Sequence, residues 1–159
     1  MCKFIKDFFR KGKSNPEEII APPASDPQVP GAEKPSPAGI IPMENVSWKA
    51  GEITIKVPGL TLAALEDSNS MDPLFDRGHL LIETTDFNPD ELVVGDIVSY
   101  HAGSGSYVVH RIESIEEDEN GRLFRFLGDN NVGRRDPYLV RAEHLRALLV
   151  GIIYTVDNY

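Results

Sequence analysis

Cysteine occurs once, at Cys2, in the 159 residues of this chain. A lone thiol excludes an intramolecular disulfide and any zinc cage built from several cysteines, so packing alone must hold the fold. Long apolar runs are also missing. The longest, residues 147–154, falls well short of the roughly 18 to 20 residues that cross a bilayer as a helix. The chain is therefore not expected to span a membrane. Cations are scarce: 16 Lys and Arg stand against 25 Asp and Glu, a formal charge of −9. That balance argues against a nucleic-acid partner, because phosphate binding needs cations clustered on one face. Lysine stops altogether at Lys56, and every later cation is Arg or His. The glycine-rich stretch AGSGS, residues 102–106, lacks both the glycine spacing and the following helix of a phosphate-cradling loop, and reads as a hairpin connection. No metal site and no cofactor is expected.

The residues that are present suit one folded domain. Hydrophobic residues make up 41% and charged residues 26%, enough apolar material for a core. Charge and proline divide the chain into three parts. Residues 1–13 carry Lys3, Lys6, Arg10, Lys11 and Lys13 against Asp7, with Phe4, Ile5, Phe8 and Phe9 at helical spacing. This pattern suits a short basic amphipathic helix in peripheral contact with an anionic membrane or lying in a partner's groove. The next residues are polar and proline-rich where a signal peptide needs its apolar stretch, so a cytoplasmic location, peripheral at the membrane, is expected. Residues 14–43 hold eight of the twelve prolines and read as a flexible, disordered tether. Residues 44–159 hold ten basic and twenty acidic side chains and form the folded body.

The body reads as mainly β. EITIKV at residues 52–57, residues 80–84 and residues 96–100 have strand patterns, and YVVHRIESI at 107–115 alternates most clearly. EEDENG comes next as a turn, with Gly121 supplying a permissive backbone, and residues 123–127 return to make a hairpin. A short helical pattern near residues 141–146 precedes an apolar strand at 147–156. No internal repeat occurs, and many short strands with one short helix indicate a β-barrel or a pair of coiled sheets.

Ser68-Asn69-Ser70-Met71-Asp72-Pro73 joins a strand to a Pro-initiated turn, a setting that can present a serine hydroxyl on a constrained backbone. A serine nucleophile needs a base within hydrogen-bond reach and donors for the oxyanion that forms in acyl transfer. Arginine is always protonated and cannot serve. The candidate bases are Lys49, Lys56, His79, His101, His110 and His144. His110 shares a strand face with Val108 and Ile112, a pattern that a partly buried structural histidine would also give. His144 lies in a charged, solvated stretch. Asp129 in GDNN and Asp136 in RRDP come after the hairpin that carries His110, and either can orient an imidazole as a triad carboxylate does; GDNN is equally a plain turn.

Taken in order, SNSMDP, RGHLLI, GDIVSY, VVHRI and LGDNN resemble the catalytic domain of type I signal peptidases over roughly residues 65–154. The likeness is to the Ser/His branch of archaea and the endoplasmic reticulum, and the fold is shared with LexA-like self-cleaving repressors and UmuD-type proteins. The resemblance implies a serine endopeptidase acting on a peptide or protein substrate, with Ser70 as nucleophile and His110 as general base. It implies Asp136 as the group that orients His110, with Asp129 in support. Ser68 would help form the oxyanion hole, and Asn69 and Met71 would contact substrate. The substrate would enter as an extended strand with small side chains near the cleaved bond. Three features depart from the family pattern: no membrane anchor is expected, Asn69 stands where glycine is usual, and His79 stands where aspartate is usual. Two other functions share this fold. One is self-cleavage, for which Ala38-Gly39 in the tether is the candidate bond; the other is a peptide-binding module with an inactive site.

Overall fold

Alternation of apolar and polar side chains dictates strands, and strands dominate the chain. The computed structural model describes residues 33–103 and 105–156. Within the compact unit Lys34–Tyr159, nine strands form two antiparallel sheets. β1 (Val46–Lys49) and β2 (Glu52–Ile55) make a small, largely exposed hairpin. The other seven are β3 (Leu60–Ala64), β4 (His79–Thr84), β5 (Ile97–His101), β6 (Tyr107–Asp118), β7 (Gly121–Leu127), β8 (Leu139–Arg141) and β9 (Leu145–Tyr154). They form one curled sheet in the order β3-β4-β9-β5-β6-β7-β8.

The last strand in sequence lies inside this sheet, between β4 and β5. This explains its apolar composition, since a strand with neighbours on both edges and packing on both faces has little surface for polar groups. It also explains one difference from the sequence-based expectation. The short helix expected near residues 141–146 is only a three-residue 3-10 turn, Ala142–His144, and β9 begins at Leu145. Strand pairing at either end of this stretch, Arg141 with Leu123 of β7 and Leu145 with Tyr100 of β5, outweighs the helix propensity of Glu, Leu and Ala. The other helical elements among the described residues are 3-10 turns at Met43–Asn45 and Pro89–Glu91.

β5 buries all of its first four residues because it divides two cores. Val98 and Tyr100 pack on one face with Ile112, Phe124, Phe126 and Leu148. Ile97 packs on the other with Met71, Phe75 and Leu81. The second cluster fixes the loop that carries Ser70, since Met71 and Phe75 are both 2% exposed.

The basic N-terminal segment, Cys2 and most of the tether lie outside the described residues. The end of the tether is docked on the sheet. Gly95 (φ +104°) lies so close to it that a Cβ would stand 2.8 Å from the backbone of Pro35 and Ser36. The buried Asp96 accepts hydrogen bonds from the backbone N–H of Ala38 at 2.7 Å and of Val93 at 2.8 Å. Ala38-Gly39 is thus held against Asp96, and neither residue lines the groove beside Ser70. Among the described residues no helix is long and apolar enough to cross a membrane.

Candidate active site

Three chain segments converge at one end of the sheet. Ser70 comes after β3 and opens a turn closed by hydrogen bonds from the N–H groups of Leu74 and Phe75 to the Met71 carbonyl. His110 comes from β6, with its side chain 8% exposed. Asp136 comes from the loop after β7, where its backbone N–H donates to Phe126 O at 3.1 Å.

Ser70 Oγ lies 3.0 Å from His110 Nε2, and His110 Nδ1 lies 2.6 Å from Asp136 Oδ2. A carboxylate can only accept, so Nδ1 carries a proton, which in the neutral imidazole leaves the lone pair on Nε2, facing the serine. Tyr100 donates its phenolic O–H to the same Asp136 oxygen at 2.5 Å. Burial raises the Asp136 carboxyl pKa, but the hydrogen bonds from His110 and Tyr100, and the charge of His110 when it is protonated, outweigh it and leave the carboxyl below its ordinary value. Burial, the bond to Asp136 and the charge of that carboxylate all push the Tyr100 phenol up, which keeps it a donor.

The serine loop is held by its backbone. Asn130 donates its N–H to Ser70 O at 2.9 Å and its side-chain amide to Asn69 O at 3.0 Å. Asn69 itself has φ +56°. This left-handed conformation favours glycine, and Asn is among the side chains that tolerate it best. Ser68 Oγ lies 3.2 Å from Ser70 Oγ and accepts the Ser70 backbone N–H at 3.4 Å. Gly128 completes the contact: a Cβ there would stand 2.6 Å from Ser70 O and 3.0 Å from His110 Nε2.

A groove of about 500 Å³ leads to the pair, with walls that include Ala63, Leu65, Met71, Phe75, Val108 and Val109. Two unpaired strand edges border it. β3 ends the sheet and pairs only with β4. Residues 107–110 of β6 pair only with β5, because β7 joins β6 from Arg111 onward.

Of the residues singled out in the sequence, Ser68, Asn69, Ser70, Met71, His110 and Asp136 come together here. Asp129 does not face the imidazole. It receives Arg111 Nε at 2.8 Å and Arg111 NH2 at 2.6 Å, a pair that raises the Arg111 pKa against the lowering effect of burial. Arg111 NH1 also donates to Gly95 O, so this bidentate pair braces the loop after β7 against β6 and the start of β5. The other candidate bases are engaged elsewhere or exposed. Lys49 pairs with Glu52, His79 Nδ1 accepts the Asp76 N–H, and His101 Nδ1 accepts the Gly103 N–H. Lys56 and His144 are exposed. Tyr100, Arg111, Gly128 and Asn130 fall inside the segments GDIVSY, VVHRI and LGDNN, but nothing in the sequence assigns them a role. Among the described residues no group of His, Cys, Asp and Glu is placed to hold a metal ion.

No protein-family model matches the chain. It is similar to signal peptidase I W of Bacillus subtilis (strain 168), 33% identical over 84 residues that cover 53% of this chain and 44% of that protein. It is also similar to the signal peptidase complex catalytic subunit SEC11C of Homo sapiens and Canis lupus familiaris. There it is 41% identical over 66 residues, covering 40% of this chain and 34% of each relative. All of these relatives are signal peptidases. The chain therefore matches less than half the length of the signal peptidases it resembles.

Two outcomes test the site's construction. Gly128→Ala drives a methyl into fixed backbone and should cost about 1–3 kcal/mol in denaturant unfolding, whereas Gly39→Ala, with nothing within 4 Å of the added methyl, should be neutral. The Asp136 carboxyl lies below its ordinary value of 3.8 in the folded state. Its contribution to stability is therefore present above that value and lost as pH falls through the lower folded one. The stability gap between wild type and Asp136→Asn, from unfolding curves at several pH values, should shrink on acidification, and a constant gap would contradict the assignment.

Proposed function

We propose that this protein is a serine endopeptidase of signal-peptidase type, acting through a Ser70/His110 pair with Asp136 behind the imidazole. The observation that carries the proposal is the 3.0 Å approach of Ser70 Oγ to His110 Nε2, with Nδ1 anchored on Asp136. The similarity to signal peptidases supports the same reaction class.

A substrate strand lies in the groove between β3 and the free edge of β6, where backbone pairing supplies affinity and the walls select side chains. Ser70 Oγ attacks the carbonyl carbon while its proton passes to His110 Nε2. The Ser70 backbone N–H turns from Ser68 Oγ to the resulting oxyanion, which also takes a hydrogen bond from the Ser68 hydroxyl, a pairing of the kind that lowers acyl-transfer barriers most. Collapse expels the amine, which takes the proton from Nε2, and leaves an ester on Ser70. A water that gives its proton to His110 then hydrolyses the ester and regenerates the serine. Asp136 stays ionised throughout and stabilises the imidazolium.

Full-length protein incubated with signal-peptide substrates tests the reading by product formation. Ser70→Ala and His110→Ala should each lower kcat by about a thousandfold or more, and the double variant should lose little beyond either single one, because such groups act as a unit. Equal turnover by wild type and Ser70→Ala would overturn the assignment.

A further inference from the structure

Glu83 is a carboxylic acid that this chemistry does not use, yet it is only 3% exposed. Burying such a group is costly unless it is paired. Glu83 lies on β4 opposite Leu149 of β9, and Ser99 lies on β5 opposite Ala147 of β9. Ser99 also pairs directly with Val109 of β6, which packs with Leu149 against the second core cluster. Glu83, Ala147 and Ser99 therefore share the sheet face that floors the groove. Ala147 is fully buried and small, so Glu83 reaches across β9, and Ser99 Oγ donates to Glu83 Oε1. Burial pushes the Glu83 carboxyl up, opposed by the Ser99 hydrogen bond and the charge of Arg146.

Ser99 lines the groove that holds Ser70 and His110, and among the described residues lining it, Ser99 and His110 are the buried polar ones. The floor thus offers one polar point apart from the catalytic pair, with its orientation set from behind. When Ser99 donates to a carboxylate, its oxygen presents an acceptor to the groove. When a protonated Glu83 donates instead, the Ser99 hydroxyl can also donate. A substrate hydroxyl satisfies both arrangements, an aliphatic side chain satisfies neither, and an acidic side chain meets the adjacent carboxyl.

We propose that Ser99 is the specificity-determining residue of the groove, held by Glu83 as a positioning residue, and that it selects peptides presenting serine or threonine at one inward-facing position. The inference rests on the groove being the peptide site of the endopeptidase reading.

The test uses peptides that differ only by Ala, Val, Ser or Thr at each successive position. Affinities are measured by calorimetry on full-length Ser70→Ala, which binds without cleaving, and kcat/KM is measured on the wild type. At one position the Ser and Thr peptides should be favoured roughly threefold to tenfold, the yield of one net hydrogen bond. Ser99→Ala should erase that ratio in both measurements. Glu83→Gln, which keeps an acceptor for Ser99, should retain it, and Glu83→Leu should lose it; Ser99→Ala carries the test if Glu83→Leu does not fold. A ratio between peptides on one protein is not moved by a change in stability alone. Equal affinities at every position, a preference that survives Ser99→Ala, or no binding at millimolar peptide would overturn the inference. Hydroxyl-selective binding to Ser70→Ala without cleavage by the wild type would instead sink the peptidase reading and leave this one standing.

Discussion

The hydrogen bond from His110 Nδ1 to Asp136 Oδ2, 2.6 Å long, decides which nitrogen of the imidazole keeps its lone pair, and Ser70 meets that nitrogen. Much of the surrounding structure fixes its two ends. Tyr100 donates to the same carboxylate oxygen and stacks on Phe126 with ring centroids 4.3 Å apart. The backbone N–H of Asp136 returns to Phe126 O. One end of the pair is therefore tied to the most buried aromatic part of the core, where side chains have little freedom to rearrange.

The serine side is built from backbone more than from side chains. Asn130 clamps the carbonyls of Asn69 and Ser70, Gly128 leaves room for that approach, and Arg111 with Asp129 braces the loop that holds both. Asp129 thus supports the site from the opposite side of β6, through the serine loop. The two cores have different places in consequence: one lies behind Asp136 and His110, the other anchors Met71 and Phe75 and floors the groove. The Glu83–Ser99 pair introduces polarity into that otherwise apolar floor.

Much of this is legible in the sequence because the signals are local. Strict alternation marks β6, and the stop of lysine at Lys56 leaves histidine as the base of choice in the body. The order of SNSMDP, VVHRI and LGDNN brings Ser70 and His110 to attention together. The features that stay hidden depend on tertiary pairing. β3 and β8 are short strands with modest patterns, and the helical look of residues 141–146 gives way to strand pairing of Arg141 with β7 and of Leu145 with β5. Asp129 and Asp136 are both acids in one loop; the resemblance favours Asp136 as the partner of His110, but the pairing of Asp129 with Arg111 shows only in the fold, where the loop returns to Phe126. The proline-rich tether carries no sign that residues 35–38 dock on Gly95 and Asp96, because the acceptor of that contact lies far away in sequence.

On the proposed reading, His110, oriented by Asp136, makes Ser70 the reactive hydroxyl of the chain. Peptide mapping by mass spectrometry after treatment with a serine-directed electrophile tests this most directly. The expected result is a single adduct on Ser70, its yield falling sharply in His110→Ala and less in Asp136→Asn. An adduct on another serine, or equal labelling of Ser70 in wild type and His110→Ala, would contradict it.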